Sequence, residues 1–186
     1  GYDGDVILDV EGGDNLVSVL TGVGNDWIAV SQGSVNGGLA VDLGEGENTL
    51  AVNNYSDTYS DDDGVNALDF TGGVQNVQTL ELRNSIYLHN DATLNLDGFD
   101  AALTTVQFDG SIDGDGYTFA FANAPEVLPV TVWGDVRNVY LDTGNIVDLT
   151  MNVEGYYLDL DGVTGADLTT LTFNQGQEYN DGGQIW

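Results

Sequence analysis

The strongest constraint on this chain is its rhythm. Stretches of about four to six residues, apolar alternating with polar, recur about every ten residues. Glycine, asparagine or aspartate separates nearly every pair of them. Helical periodicity is missing almost throughout. The pattern predicts strands over 6–10, 16–20, 27–30, 39–43, 50–52, 65–70, 77–82, 86–88, 94–96, 103–108, 117–121, 130–133, 139–141, 147–153, 157–160 and 168–173. Such a chain is all-β. Many short strands fit either a parallel β-solenoid or a β-sandwich.

Internal similarity favours the solenoid. VQTLELRNSI (77–86), LTTVQFDGSI (103–112) and LTTLTFNQG (168–176) share one apolar-x-x-apolar-x-apolar frame. Their central residues Leu80, Val106 and Leu171 predict coils of about 20 to 26 residues, stacked as a parallel β-helix. The sandwich is the alternative. FTGGVQNVQTLEL (70–82) resembles, as a style of sequence, the coils of bacterial surface-layer proteins and large adhesins. Pro125 and Pro129 bracket what should be an irregular passage, because proline cannot donate within an interior ladder.

Between Thr21 and Val52 a second pattern is written over the first. Gly22, Gly24, Asn25 and Asp26 precede Ile28; Gly44, Gly46, Glu47 and Asn48 precede Leu50; Gly12, Gly13, Asp14 and Asn15 precede Leu16. Each is a glycine turn, an oxygen-bearing side chain and a short apolar strand. These residues resemble the calcium-binding nonapeptide of the RTX family. The resemblance implies a secreted β-solenoid holding Ca2+ between stacked turns, with Asp14, Gly24, Asp26, Gly46 and Asn48 at the ligand-bearing turns.

Charge narrows the partners. The chain of 186 residues carries 31 acidic residues against Arg83 and Arg137, and no lysine, for a net charge of -29. Phosphate recognition needs Lys and Arg, so nucleic acid and anionic membranes are excluded as partners. A folded chain this acidic implies bound cations, high ambient salt or both. There is no cysteine, hence no disulfide framework or thiolate metal site. No apolar run reaches the length of a membrane helix. The chain reads as one solenoid domain, 1–186, with an RTX-like portion over about 1–54 and an acidic loop over about 53–64. With Gly1 first, it reads as a mature or excised piece.

Two loops carry the densest carboxylates. Asp57, Asp61, Asp62 and Asp63 precede Gly64, and Asp109, Asp113 and Asp115 precede Gly116. Alternating carboxylates closed by a glycine suit a hard cation, although neither loop has the closing glutamate of an EF-hand. Asp57, Asp61, Asp63, Asp109, Asp113 and Asp115 are therefore candidate calcium ligands. Asp3 and Asp5, about Gly4, form a poorer pair. The bland reading is that aspartate and glycine favour solvated turns.

Catalysis has little to work with. The one histidine, His89, should face water beside Tyr87, with Ile86 and Leu88 inward. Triads, histidine zinc sites and Schiff-base chemistry lack their residues. Among the aromatic residues Trp133, Tyr140, Tyr156, Tyr157 and Trp186, exposed rings would stack on sugars, whereas strand positions such as Trp133 and Tyr157 favour the core or a ladder. Arg83 and Arg137 are expected in ion pairs. The expectation is a non-enzymatic, calcium-stabilised extracellular module of a surface layer, adhesin or filament, with both ends uncapped and copies joining into an oligomer or polymer. The alternatives are a module binding carbohydrate, such as a cell-surface polysaccharide, and a carbohydrate-active enzyme.

Overall fold

The computed structural model describes residues 3–10, 16–53 and 67–176. In chain order the elements are β1 (Ile7–Asp9), β2 (Ser18–Leu20), β3 (Trp27–Ser31), α1 (Gln32–Asn36), β4 (Ala40–Asp42), β5 (Thr49–Asn53), β6 (Ala67–Asp69), β7 (Val74–Gln75), β8 (Thr79–Arg83), β9 (Ile86–Tyr87) and β10 (Ala92–Asn95). Then come β11 (Thr105–Asp109), β12 (Ile112–Asp113), β13 (Thr118–Ala122), β14 (Val127–Val132), β15 (Val136–Asp142), β16 (Asp148–Val153), β17 (Leu158–Thr164) and β18 (Thr170–Gln175).

The architecture is a parallel β-solenoid of about seven turns. One face is an eight-stranded sheet in the order β1-β3-β5-β8-β11-β14-β16-β18, so one strand of every coil joins it. The other side is built from a seven-stranded sheet (β6, β9, β10, β12, β13, β15, β17) and a three-stranded one (β2-β4-β7). All strand pairs are parallel. The length of a coil can be read along one inward column of the large sheet: Leu8, Ile28, Leu50, Leu80, Val106, Val130, Met151 and Phe173. Successive members lie 20, 22, 30, 26, 24, 21 and 22 residues apart. The coil of 30 contains residues 54–66, which lie outside the described residues.

Period-two alternation explains what is inside. In β8 and β11 the burial alternates strictly, Leu80, Leu82, Val106 and Phe108 in, and Thr79, Glu81, Thr105 and Gln107 toward water. Ile86 and Leu88 point in while Tyr87 and His89 face solvent, as the alternation requires. Aromatic edges close the interior, Phe108 against Phe119 and Phe119 against Phe121, at centroid separations of 5.6 and 5.5 Å.

Two local expectations need correction, and one short element had no counterpart among the expected strands. Leu171 does not stand over Leu80 and Val106; it pairs with Leu149, and Phe173 takes that column through Met151. The start of the strand moves two residues earlier from β14 onward, which keeps in/out parity while sliding the frame. Pro129 does not break the chain but lies within β14, paired with Thr150. Pairing with β11 begins only at Val130, so no partner awaits the missing N–H on that side. Finally, the single helical turn α1 carries no apolar periodicity. It forms because Ser31 Oγ accepts the Ser34 N–H at 3.2 Å, capping its start.

Leu80 is wholly buried between Leu50 and Val106, so Leu80→Ala should lower unfolding free energy by about 2–5 kcal/mol. Its outward neighbour should tolerate Thr79→Ala to within about 0.5 kcal/mol. Denaturant midpoints measure both, and equal losses would contradict the assigned faces.

Candidate functional site

The glycine turns singled out in the sequence do stack. Val23 bridges in parallel to Asp3 on one side and Glu45 on the other, so Gly4, Gly24 and Gly46 form one column. The backbones meet too closely for a side chain. A Cβ on Gly46, where φ is 141°, would lie 1.9 Å from the Gly24 carbonyl oxygen. One on Gly24, where φ is 151°, would lie 2.6 Å from Gly4. The copy of this turn at Asp3-Gly4-Asp5 escapes the nonapeptide pattern. Its signal was the triplet x-Gly-(Asp/Asn/Glu), shared with Val23-Gly24-Asn25 and Glu45-Gly46-Glu47. Asp14 lies outside the described residues.

Two hydrogen-bonded ladders run through the column in opposite senses. Asp5 Oδ1 accepts the Asn25 N–H at 2.8 Å, and Asn25 Oδ1 accepts the Glu47 N–H at 2.9 Å. One residue further on, Asp26 Oδ1 accepts the Val6 N–H, Asn48 Oδ1 the Asp26 N–H and Gln78 Oε1 the Asn48 N–H, at 2.8, 2.9 and 2.7 Å. Side chains thus satisfy backbone donors that the sheet cannot reach, clamping each coil from both sides.

Asp26 and Asn48 are both buried, 2 % and 1 % exposed. Asn48 is complete, because its Nδ2 donates to the carbonyls of Leu43, Gly44 and Asn76. Asp26 presents an oxygen at the corresponding place, and that Oδ2 has no hydrogen-bond partner. A buried carboxylate oxygen would suit a calcium ion as one of the six to eight oxygens calcium takes. Among the described residues no group of three or more Asp, Glu or His side chains converges.

Of the other described candidates, Asp109 stands apart from Asp113 and Asp115. Asp109 ends β11 in register with Arg83, Asp113 lies on β12 in register with Arg137, and Asp115 occupies a left-handed turn at φ 44°. Asp113 Oδ1 faces the Asp115 N–H at 3.4 Å, a turn-closing arrangement. The corner at Gly110 and Ser111 carries Asp109 and Asp113 onto different sheets. Asp57, Asp61 and Asp63 lie outside the described residues, as does Trp186.

Both arginines are consumed within the chain, each between a carboxylate and an aromatic ring. Arg83 Nη1 meets Asp9 Oδ2 at 3.2 Å and Asn53 Oδ1 at 2.9 Å, and its guanidinium lies 5.4 Å from the Trp27 ring. The Trp27 indole reaches across β5 to donate to Glu81 Oε2. Arg137 pairs with Asp135 and lies 4.5 Å from the Tyr157 ring.

Beside Arg137 opens a cleft of about 230 Å³ lined by Ser111, Trp133, Gly134, Asp135, Glu154, Gly155 and Tyr156. Sequence position suggested core or ladder roles for Trp133 and Tyr157, but Trp133 is 56 % exposed and Tyr156 and Tyr157 are also in contact with solvent. The outward face of the strand wins over the apolar ring. Asp135 is fixed on the cleft floor. Its Oδ1 accepts the Tyr156 and Tyr157 N–H groups at 2.7 and 3.1 Å, and its own N–H donates to Ser111 Oγ at 3.0 Å. Burial opposes its ionisation. The Tyr157 N–H, the Arg137 guanidinium and the Tyr156 N–H outweigh that and hold its carboxyl below the usual value of 3.8.

Compared with protein-family models, curated proteins and solved structures, the chain matches none.

Two outcomes are expected. Asp26→Asn should supply the missing donor as Asn48 does, raising stability in chelator by about 1–2 kcal/mol; if Asp26 holds calcium, the same change should instead lower the melting temperature in calcium. For Asp135 the folded-state value is depressed, so its contribution is present above the ordinary carboxyl range and lost as pH falls through the folded value. The gap in melting temperature between wild type and Asp135→Asn should therefore be open at pH 7 and close as the pH falls below the ordinary carboxyl range. A gap that persists in acid would contradict the ion-pair account.

Proposed function

We propose that this chain is a structural module of an extracellular surface, in a surface layer, adhesin or filament, whose solenoid is extended by a second copy stacked coil on coil. One observation carries the reading. The first strand of the large sheet, β1, leaves Leu8, the head of its inward column, 45 % exposed, and on the outward faces of β1 and β2 Ile7 and Leu20 are 81 % and 76 % exposed. An apolar parallel edge is covered by another parallel strand better than by anything else. The opposite edge of the large sheet, β18, is parallel to it and exposes Leu171. Edge to edge, copies would join head to tail, a heterologous contact that grows into filaments or lattices rather than closing.

Calcium enters this reading as counter-ion to a net charge of -29, to which Asp57, Asp61 and Asp63 contribute. Screening by a divalent ion lowers the repulsion between stacked copies. The absence of a second histidine, of lysine and of cysteine supports a role without catalysis. The alternative, a module binding carbohydrate, draws support from the exposed rings of Tyr87, Tyr117 and Tyr140, and saturable binding of a neutral glycan by the monomer would select it.

Light scattering and electron microscopy of the purified chain, in calcium, in chelator and in matched sodium chloride, test the assembly. Growth in calcium is expected, and Ile7→Glu combined with Leu20→Glu should abolish it while changing monomer stability by less than about 1 kcal/mol. A strictly monomeric particle at high concentration in every condition would sink the reading.

A further inference from the structure

Among the described residues, Asp26 Oδ2 is the one buried side-chain oxygen without a hydrogen-bond partner. Its residue is 2 % exposed, and a buried charge is held by a charged partner or a metal ion. The other oxygen of the carboxylate is engaged, accepting the Val6 N–H at 2.8 Å. Neither arginine serves Asp26, since Arg83 pairs with Asp9 and Glu81, and Arg137 with Asp135. The next coil holds the same turn with an amide in place of the acid. Asn48 lends its Oδ1 to the Asp26 N–H, and its Nδ2 donates to the carbonyls of Leu43, Gly44 and Asn76 at 3.2, 3.2 and 2.9 Å. The two turns stack through the bridge of Val23 to Glu45, with Gly24 and Gly46 at φ 151° and 141°. Where Asn48 offers main-chain carbonyls a donor, Asp26 offers another acceptor. Oxygens brought together in this way call for a positive charge among them.

We propose that Asp26 Oδ2, with main-chain carbonyls of the 21–26 turn, holds a monovalent metal cation rather than the calcium that the nonapeptide resemblance implies. Charge decides between the two ions. Asp26 is the one buried carboxylate among the described residues, and no group of three or more acidic or histidine side chains converges there. An ion of charge +1 leaves such a site neutral. Calcium would leave one positive charge uncompensated in a water-poor interior, which is costly, and calcium affinity falls with the number of charged ligands. Sodium has nearly the size of calcium and half its charge, so it suits one carboxylate among neutral carbonyls. A net charge of -29 concentrates such ions around the chain. In the coil of Asn48 the amide nitrogen does the work of the ion, so the two coils are alternative solutions to one corner.

The test is the melting temperature of the whole chain at constant ionic strength, with tetramethylammonium chloride replaced stepwise by sodium chloride and divalent ions chelated. A saturable rise of about 3–6 °C is expected once sodium exceeds its Kd tenfold. Asp26→Asn keeps the acceptor for the Val6 N–H and gains the donor that Asn48 has, so it should lose the rise, and its margin over wild type should be widest in tetramethylammonium. Asp5→Asn is the control for surface charge. It deletes the same unit of charge at an exposed position one coil away, keeps the acceptor for the Asn25 N–H, and should show the full rise. Sodium-23 line broadening should likewise be larger with wild type and Asp5→Asn than with Asp26→Asn. Equal melting of the wild type in the two salts would overturn the site. Equal sodium responses in wild type and Asp26→Asn, or an equal loss in Asp5→Asn, would reduce the effect to screening and overturn it too. So would a rise in calcium that Asp26→Asn removes and sodium does not reproduce, because the site would then be a calcium site.

Discussion

Every coil of this molecule must lie on the backbone path of its neighbour, one hydrogen-bond spacing of about 4.8 Å away. On the flat faces the parallel ladder enforces this. At the corners, where ladder bonds fail, something else must. Two means are used at the first corners. Gly4, Gly24 and Gly46 let backbone touch backbone, and the side chains of Asp5, Asn25, Asp26, Asn48 and Gln78 reach across to the unpaired N–H groups. A turn that reads as a metal loop thus has a complete structural explanation in amide chemistry, apart from Asp26 Oδ2.

The same spacing governs the charge. Carboxylates stacked directly along a ladder would face one another at about 5 Å, which is destabilising. Among the paired residues of the described strands, no carboxylate stands opposite another. Asp109 faces Arg83 and Asp113 faces Arg137; Glu81 stands between Ala51 and Gln107, and Asp42 between Leu20 and Gln75. Asparagine serves as the insulator: Asn95 Nδ2 donates to Asp69 Oδ1 and Asn123 Nδ2 to Asn95 Oδ1, at 2.7 and 2.9 Å. Along the described ladders the carboxylates are interleaved with amides, hydroxyls, arginine and apolar side chains.

What was legible in the sequence follows from these two rules. The period of two depends only on which side of a strand a residue occupies, so inward Leu80, Leu82, Val106 and Phe108 could be named before any coil was built. Which coil a strand stacks on depends on corner lengths, and those vary from one coil to the next. Leu171 therefore shares a motif with Leu80 without sharing its column. Convergence in space was harder still. Asp109 and Asp113 are close in sequence, but the corner between them sends one to each sheet, while Trp133 and Glu154, further apart in the chain, stand side by side.

The spacing also decides where an aromatic ring can be hidden on an outward face. Trp27, in register with Thr49, reaches diagonally across β5, and its indole N–H donates to Glu81. Trp133 has no such neighbour. Across β16 it meets Glu154, and the residue that precedes it in column, Asp109, is also a carboxylate. The Glu154 carboxylate lies over Gly176, on the side of β16 away from the ring, and Trp133 is left 56 % exposed.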